Sequence, residues 1–270
     1  MPSLELHVDR LLARGRETFA GAQARVALEL SPRAFAASAQ RLRKKRLLAS
    51  PRRDFFLILR PEDRIAGAPD PVRWIAPLLR QLRLDYRVSL LRAAAFHGSS
   101  HQASMVFQVI VPRQLRSFDA GRHRIRFLYQ RPDVFAAVNQ AEWLTQIKSG
   151  AGFAQAAGME LTLLDSIRYF HKAAGIDGAA RIVRDLGAKA GARKLSRAAA
   201  YYDNSAVRRL GYLLDRFGYA KQARALLPFA RKAKSMKPLD PSVRSLLRTA
   251  AAPVCHKWML ILNRSVEIDE

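Results

Sequence analysis

The residues best suited to chemistry in this chain are the small and cationic side chains that follow Ser31, because together they can contact a polyanion. Ser31 is a strong helix N-cap and Pro32 suits the first helical turn, so a helix is predicted to begin here. Three apolar residues recur at helical spacing and predict one buried stripe: Phe35, Ala39 and Leu42. The opposite face of this helix is then available to a partner.

That opposite face carries small residues at its start and cations toward its end. Small side chains allow a helix to enter the DNA major groove, which is about 12 Å wide, and Arg or Lys side chains reach the phosphates. The groove-entry residues are Ala34 and Ala37, and the residues expected nearest the bases are Ser31, Ser38, Gln40 and Arg41. The expected phosphate contacts are Arg33, Lys44, Lys45, Arg52 and Arg53. A solvated basic face is the alternative interpretation of the same charges.

The segments around this helix have the order of a winged helix-turn-helix. The predicted segments are helices at 4–14 and 20–28, a turn at 29–30, the reading helix, a polar turn at 50–53 and a buried strand at 55–59. Arg52 and Arg53 would then lie at the tip of a basic wing. The pattern predicts a DNA-binding domain over residues 1–60.

The charge of the whole chain points to the same class of partner. Lys and Arg number 47 against 22 Asp and Glu, a formal net charge of +25, which concentrates polyanions such as nucleic acid. An acidic membrane surface is the competing polyanion, but no apolar run of about 18 residues and no signal-peptide pattern is present. The single cysteine, Cys255, cannot form an internal disulfide. We expect a cytoplasmic protein that has no membrane partner.

Beyond residue 60 the chain predicts a larger domain of class α+β. Residues 61–71 are rich in proline and acid, so they are predicted to form a linker before a domain over 72–270. Helices are predicted at 72–82, 88–96, 160–173, 178–186, 194–203, 205–217 and 220–232. Strands are predicted at 105–111, 122–129, 152–156 and 257–263.

The larger domain has cations of its own. Arg122, Arg124 and Arg126 alternate along one predicted strand. Further cations cluster over the helical segments: Lys189, Arg193, Lys194, Arg197, Arg208 and Arg209. The possible phosphate contacts in this domain are Arg122, Arg124, Arg126, Arg193, Lys194 and Arg197. Solvated faces are an equal alternative.

Residues able to catalyse a reaction are present, but not in a catalytic arrangement. His97 and His101 straddle a glycine and have no glutamate between them, so a metal site is not expected. Glu160 and Asp165 are five apart and fall off a common helix face, which argues against acid-base catalysis. The glycines near residue 150 lack the Lys-Ser/Thr of a phosphate loop. We expect a protein that is not an enzyme and that uses no metal and no cofactor.

Several blocks of the larger domain occur in the order and at the spacing of a known family. They are Trp74-Ile75, Pro77-Leu78-Leu79, Tyr86 to Leu91, Ala94 to Gly98 with His101-Gln102, Val106 to Val109, Arg124 to Phe127, Glu160 to Asp165 and Trp258 to Asn263. Together with the basic winged helix in front, these blocks resemble the AbiE-type antitoxin family, whose regulators are AbiEi-like. The resemblance covers nearly the whole chain.

This resemblance implies an antitoxin of a type IV toxin-antitoxin system, which is linked to abortive infection and phage defence. The family's winged helix binds inverted repeats in the promoter of its own two-gene operon and represses transcription. Its carboxy-terminal domain counters a nucleotidyltransferase-like toxin without forming a stable complex. Two other functions stay open. The charge alone would suit a general RNA-binding or ribosome-associated protein, and the larger domain could bind or modify the toxin directly.

Overall fold

The structure is a computed structural model that describes residues 3–99, 106–243 and 252–266. The described chain forms two compact units. The first contains residues 3–88, 106–130 and 146–155, and the second contains residues 89–99, 131–145, 156–243 and 252–266. Each unit is therefore assembled from segments that are separated in the sequence.

The first unit begins with three helices and three short strands. Their bounds are α1 Leu4–Ala13, β1 Thr18–Ala20, α2 Gly21–Ala27, α3 Pro32–Lys44, β2 Leu48–Arg52 and β3 Phe55–Ile58. The strands form an antiparallel sheet in the order β1-β3-β2, so β2 is an edge strand. The three predicted helices are confirmed. The sequence does not predict β1, which has only three residues.

These elements enclose a small apolar core that fixes the orientation of α3. The predicted stripe of Phe35, Ala39 and Leu42 is buried, which confirms it. The Phe56 ring lies edge-on to Phe35, with 5.5 Å between ring centres, and stacks on Phe19 at 5.2 Å. Aromatic pairs of this kind add about 0.5–1.5 kcal/mol each beyond their buried area. Because the stripe is held in this core, the opposite face of α3 is exposed.

The turn between β2 and β3 lies later in the chain than the turn predicted at 50–53, so that prediction is wrong. The structure turns at Arg53 and Asp54. Asp54 adopts the left-handed conformation, with φ of 59°, which aspartate tolerates better than most residues. Its carboxylate accepts the N–H of Ala22 at 2.8 Å and so caps α2. Pro51 is tolerated within β2 because it stands on an edge strand.

The segment predicted as a linker, 61–71, takes part in a buried ion network of the first unit. The Glu17 carboxylate is almost fully buried and accepts hydrogen bonds from the Arg73 guanidinium at 2.7 and 2.5 Å. Arg73 also donates to Asp63 at 2.9 Å, and Arg60 pairs with Glu17 at 2.8 Å. The hydrogen bond that Arg73 donates to Glu17 raises the pKa of Arg73 despite its partial burial. The domain limits 1–60, 61–71 and 72–270 stay a prediction.

A six-stranded sheet follows, together with helix α4 at Ile75–Gln81. The strand bounds are β4 Arg87–Val88, β5 Val106–Val111, β6 Phe118–Ala120, β7 His123–Tyr129, β8 Leu144–Ser149 and β9 Gly152–Ala157. The strand order is β6-β7-β5-β4-β9-β8, and β5 runs parallel to β7. The strands predicted at 105–111, 122–129 and 152–156 are confirmed over the described residues. β4, β6 and β8 are additional.

The predicted helix at 88–96 begins two residues late because its start is part of the sheet. Arg87 and Val88 pair with Ile110 and Val109 of β5, and both are fully buried. A β-branched residue such as Val88 fits a buried strand better than a helix start. The helix therefore spans Leu90–Phe96 and is named α5.

The second unit is mainly helical. After α5, its helices are α6 Pro132–Val138, α7 Met159–Arg168, α8 Gly175–Leu186, α9 Ala192–Ala199, α10 Asn204–Arg216 and α11 Ala220–Arg231. Short strands form a small sheet, with bounds β10 Lys237–Pro238, β11 Val254–Cys255 and β12 Leu260–Ile261. The predicted helices of this region are confirmed with shifts of a few residues at their ends, and α6 is additional.

The strand predicted at 257–263 is wrong over most of its length. A 3-10 turn ends at Trp258, Met259 is left-handed, and only two residues of β12 follow. The cause is packing, because the Trp258 ring is fully buried against Gly211 of α10. A Cβ atom at residue 211 would lie 2.1 Å from that ring. The Trp258 indole also donates to Asp215 at 3.1 Å, which fixes the turn on α10.

Candidate nucleic-acid interface

The exposed face of α3 contains the residues that the sequence assigned to DNA. Ser31 caps the helix, since its hydroxyl accepts the N–H of Ala34 at 3.2 Å. Ser38 is half-buried. The other predicted contacts on this helix are exposed: Ser31, Arg33, Ala34, Ala37, Gln40, Arg41, Lys44 and Lys45. α3 therefore presents a continuous surface that is narrow at its amino-terminal end and cationic at its carboxy-terminal end.

Two of these side chains make polar contacts along one edge of α3. Arg41 donates from Nη2 to the Ser38 hydroxyl at 3.0 Å, which orients the guanidinium along the helix. Lys45 lies 3.3 Å from the Glu5 carboxylate of α1, and both groups are more than two-fifths exposed. Exposed ion pairs of this kind contribute about 0–1 kcal/mol, so little free energy is needed to separate Lys45 from Glu5.

The two arginines predicted at the wing tip occupy different environments. Arg53 is exposed in the two-residue turn. Arg52 is half-buried at the end of β2, and its guanidinium carbon lies 5.5 Å from the centre of the Phe118 ring. A cation over an aromatic face is attracted by the ring quadrupole. Arg53 is thus the more accessible of the two.

The other edge of α3 opens on a cationic cleft within the first unit. The cleft has a volume of about 820 Å³ and is bounded by α3, β2, the loop at 64–67 and the turn between β6 and β7. Its charged lining residues are Arg43, Lys44, Arg46, Arg64, Arg122 and Asp119. Sequence reasoning missed Arg43, Arg46 and Arg64. Arg43 lies on α3, but the cleft that it lines forms only where α3 is joined by segments that are distant in sequence.

The cations predicted on one strand of the larger domain fall in three environments. Arg122 lies in the turn before β7 and is exposed, and Arg124 is exposed on β7. Arg126 instead donates to the Asp119 carboxylate at 2.8 Å and to the backbone carbonyl of Phe118 at 3.3 Å. Of the three, Arg126 is the one held by a carboxylate.

The helical cations of the second unit also differ among themselves. Arg193 is exposed on α9. Lys194 lies 3.1 Å from the Glu160 carboxylate, and Arg197 lies 2.9 Å from Glu142. Lys194 and Arg197, which the sequence offered as possible phosphate contacts, are therefore each paired with a carboxylate.

The expectation that Arg208 and Arg209 belong to an exposed basic cluster is wrong. Both lie on the buried face of α10, and their guanidinium groups donate to backbone carbonyls. Arg208 donates to Met259 at 2.8 Å, and Arg209 donates to Pro238 at 3.0 and 3.1 Å. Burial lowers the pKa of both guanidinium groups, and the charge of Arg208 lowers that of Arg209 further. These arginines position the small sheet on α10.

The residues weighed as catalytic groups have structural contacts. The His97 ring is hydrogen-bonded to the carbonyl of Ala157 at 2.8 Å, and His101 lies outside the described residues. Glu160 is buried at the start of α7 and accepts the N–H of Gly191 at 2.8 Å. In the described part of the chain, no cluster of three or more His, Cys, Asp or Glu side chains could hold a metal ion. None of the described helices has both the length and the apolar character of a membrane span.

Comparison with protein families identifies the middle part of the chain. Residues 87–216, from the start of β4 to the end of α10, match the model of the AbiEi antitoxin C-terminal domain. This match supports an AbiEi-type antitoxin family for residues 87–216. The resemblance read from the sequence blocks is thereby confirmed over residues 87–216. An AbiEi antitoxin domain supports an antitoxin role in a toxin-antitoxin system.

A solved structure matches the fold over nearly the whole chain. The chain is similar to the RV2827C protein from Mycobacterium tuberculosis, with a TM-score of 0.64 and 18% sequence identity. The match covers 94% of this chain and 89% of the other. At this level of identity the likeness concerns the fold alone. No curated protein sequence matches the chain.

Proposed function

We propose that this AbiEi-type protein is a DNA-binding repressor of its own operon as well as an antitoxin, with α3 as the reading helix. The observation that carries the proposal is the exposed face of α3, where small residues precede a series of cations. This is the shape and charge that a major groove admits. Phosphates would be held by Arg33, Lys44, Lys45, Arg52 and Arg53.

The order of elements around α3 supports a winged helix-turn-helix over residues 1–60. In chain order, the unit runs α1-β1-α2-α3-β2-β3, and its antiparallel sheet ends in the β2–β3 hairpin. α2 and α3 are joined by residues 28–31, which include Glu29 in a left-handed conformation. A recognition helix that follows a short turn and precedes a hairpin is the arrangement by which such modules contact a groove and its flanking backbone.

The antitoxin role implies a toxin encoded beside this chain. Family resemblance suggests a nucleotidyltransferase-like enzyme in the same operon, countered without a stable complex. We assign this activity to residues 72–270, and within them to the AbiEi segment at 87–216. The role in abortive infection and phage defence and the cytoplasmic location belong to the same proposal, as does the absence of enzymatic activity.

The test of DNA reading compares three nucleic acids at about 150 mM salt: duplex DNA from the region upstream of the gene, a scrambled duplex and a structured RNA. The unaltered chain should prefer the upstream duplex. Arg41→Ala should cost about 1–3 kcal/mol on that duplex and relax the preference, because a base contact is lost. Arg224→Ala, which removes an exposed cation on α11, is the matched control and should change neither quantity. Equal affinity for all three nucleic acids would favour a general RNA-binding protein.

The test of antitoxicity uses the full chain co-expressed with the neighbouring toxin gene. Arg41→Ala should weaken operon repression and leave growth rescue intact, because the residue lies outside the AbiEi segment. Loss of rescue in a variant that folds normally would contradict the division of the two activities.

A further inference from the structure

The cationic cleft beside α3 has a composition that the reading helix alone does not explain. Five of its lining side chains are cations, drawn from three separate segments, and one is a carboxylate. We propose that this cleft binds a second stretch of phosphodiester backbone from the duplex that α3 reads. The inference rests on the proposed DNA-binding function and adds a contact surface to it. Arg46 and Arg64 are new phosphate-binding residues, and they join Arg122, which the sequence already offered as a possible phosphate contact.

The positive charge of the cleft is not neutralised by carboxylates of the first unit. The one carboxylate, Asp119, pairs at 2.8 Å with Arg126, which is not among the lining residues of the cleft. Within the described residues, none of the five lining cations forms an ion pair with a carboxylate: Arg43, Lys44, Arg46, Arg64 and Arg122. Cations that converge on a concave surface focus their field and raise the local concentration of anions, which scattered surface charges do not.

The backbone holds the far wall of the cleft in a fixed position. Gly121 has a φ of 53°, and a Cβ atom there would lie 2.0 Å from the carbonyl oxygen of Ala66. The next residue, Arg122, donates its backbone N–H to that same oxygen at 2.9 Å. The turn between β6 and β7 is thus seated directly on the loop that carries Arg64. Backbone contacts therefore place Arg64 and Arg122 on one wall of the cleft.

The near wall is held at the end of α3. Arg46 occupies the left-handed position just after the helix, with φ of 53°, where glycine is the usual residue. The N–H of Arg46 bonds to the carbonyl of Arg43 at 3.0 Å, and the N–H of Leu47 bonds to that of Leu42 at 2.9 Å. An arginine at this position has a conformational cost that glycine avoids. Glycine can therefore replace Arg46 with no loss of backbone geometry.

The lining of the cleft selects phosphodiester backbone over a free nucleotide. No aromatic side chain lies among its lining residues, so no ring is available to stack on a base. Gln40 and Lys44 line the cleft and also belong to the exposed face of α3. A duplex that receives α3 in its groove therefore extends its flanking backbone across the cleft.

The experiment measures how the affinity for the upstream duplex varies with salt, using the full chain. Each cation that contacts a phosphate contributes about 0.9 to the slope of log affinity against log salt. Arg46→Gly and Arg122→Ala should each reduce the slope by about that amount, and the double variant by about twice as much. Sequence preference should be unchanged. Arg46→Lys and Arg122→Lys should restore most of the slope, and Arg224→Ala should leave it unaltered.

Thermal unfolding of each variant separates binding from folding, and Arg46→Gly should be at least as stable as the unaltered chain. If the chain prefers the upstream duplex but the cleft variants keep the slope of Arg224→Ala, the cleft assignment is overturned while the reading helix stands. If the unaltered chain shows no binding to duplex DNA, both proposals are overturned. Stabilisation of the unaltered chain by inorganic tripolyphosphate or ATP, lost in Arg122→Ala, with no change in duplex slope, would replace the backbone by a small anion.

Discussion

The replacement of Tyr202 by phenylalanine tests how the AbiEi segment is held together. Asp165 of α7 is fully buried in the second unit and accepts hydrogen bonds from the Tyr202 hydroxyl at 2.6 Å and the Ser89 hydroxyl at 2.7 Å. Ser89 lies just before α5 and Tyr202 lies after α9. One carboxylate therefore connects three elements that are distant in sequence, and Tyr202→Phe removes one oxygen from this junction while retaining the ring.

The expected loss is about 1.5–3 kcal/mol of unfolding free energy, the usual contribution of a hydrogen bond to a charged group. The upper half of that range is favoured, because Asp165 has no access to water that could replace the lost donor. Tyr201→Phe removes the same atom from the adjacent residue, whose side chain is 45% exposed, and should change the free energy by less than about 0.5 kcal/mol. Both substitutions remove a tyrosine hydroxyl, and they differ in whether that residue is buried.

Urea unfolding of both variants provides the comparison, and hydrogen exchange of the α7 amides reports on the second unit directly. A double-mutant cycle with Ser89→Ala should show a coupling larger than about 0.5 kcal/mol, since both hydroxyls bind the same carboxylate. If Tyr202→Phe is no more destabilising than Tyr201→Phe, Asp165 does not depend on that hydroxyl and the reasoning is refuted.

Three further predictions concern other buried contacts. Glu17→Gln should cost about 3 kcal/mol in urea unfolding, because it leaves the arginines around Glu17 without their shared carboxylate, and an unchanged midpoint would contradict the ion network. Gly211→Ala should lower the melting temperature through a loss of about 1–3 kcal/mol, since a Cβ atom cannot fit against Trp258, whereas a rise would mean that helix propensity outweighs packing. Burial opposes ionisation of Asp215, but hydrogen bonds from Lys257 and Trp258 outweigh it and lower its pKa, so its contribution to stability is present above the unfolded value of about 3.9 and is lost as pH falls through the folded value. Asp215→Asn should accordingly flatten the acid limb of a stability-pH curve, and an acid limb as steep as before would exclude this assignment.

Local signals in the sequence were sufficient to predict α3. Its start follows from the capping Ser31 and from Pro32, and its buried stripe follows from helical spacing, both of which depend only on neighbouring residues. The turn after β2 was misplaced because its position depends on the cap that Asp54 forms on α2, across more than thirty residues of chain. Strands of two or three residues, such as β1, β4 and β6, give too little periodicity to be recognised.

The candidate site was predictable in its helical half only. Residues of α3 share one face, so sequence spacing finds them together. Arg46, Arg64 and Arg122 line one cleft although they are distant in sequence, and the backbone contact of Gly121 with the loop at 64–67 is not indicated by any local pattern. The reverse error occurred at Arg208 and Arg209, which have the sequence character of a basic surface. Their carbonyl acceptors lie 27 to 51 residues further along the chain, so their burial could not be foreseen.

The first unit is built from segments that are separated in the sequence, and this affects how it folds during synthesis on the ribosome. Its residues 146–155 are synthesised last. Two segments of the second unit, 89–99 and 131–145, precede them in the chain. Synthesis adds about 5–20 residues per second, so β4 waits several seconds for β9 to emerge. The early sheet edge stays unpaired throughout that interval. Nascent chains of this protein should therefore depend on chaperones that shield open strand edges, and arrest of translation between residues 130 and 145 should leave them most prone to aggregation.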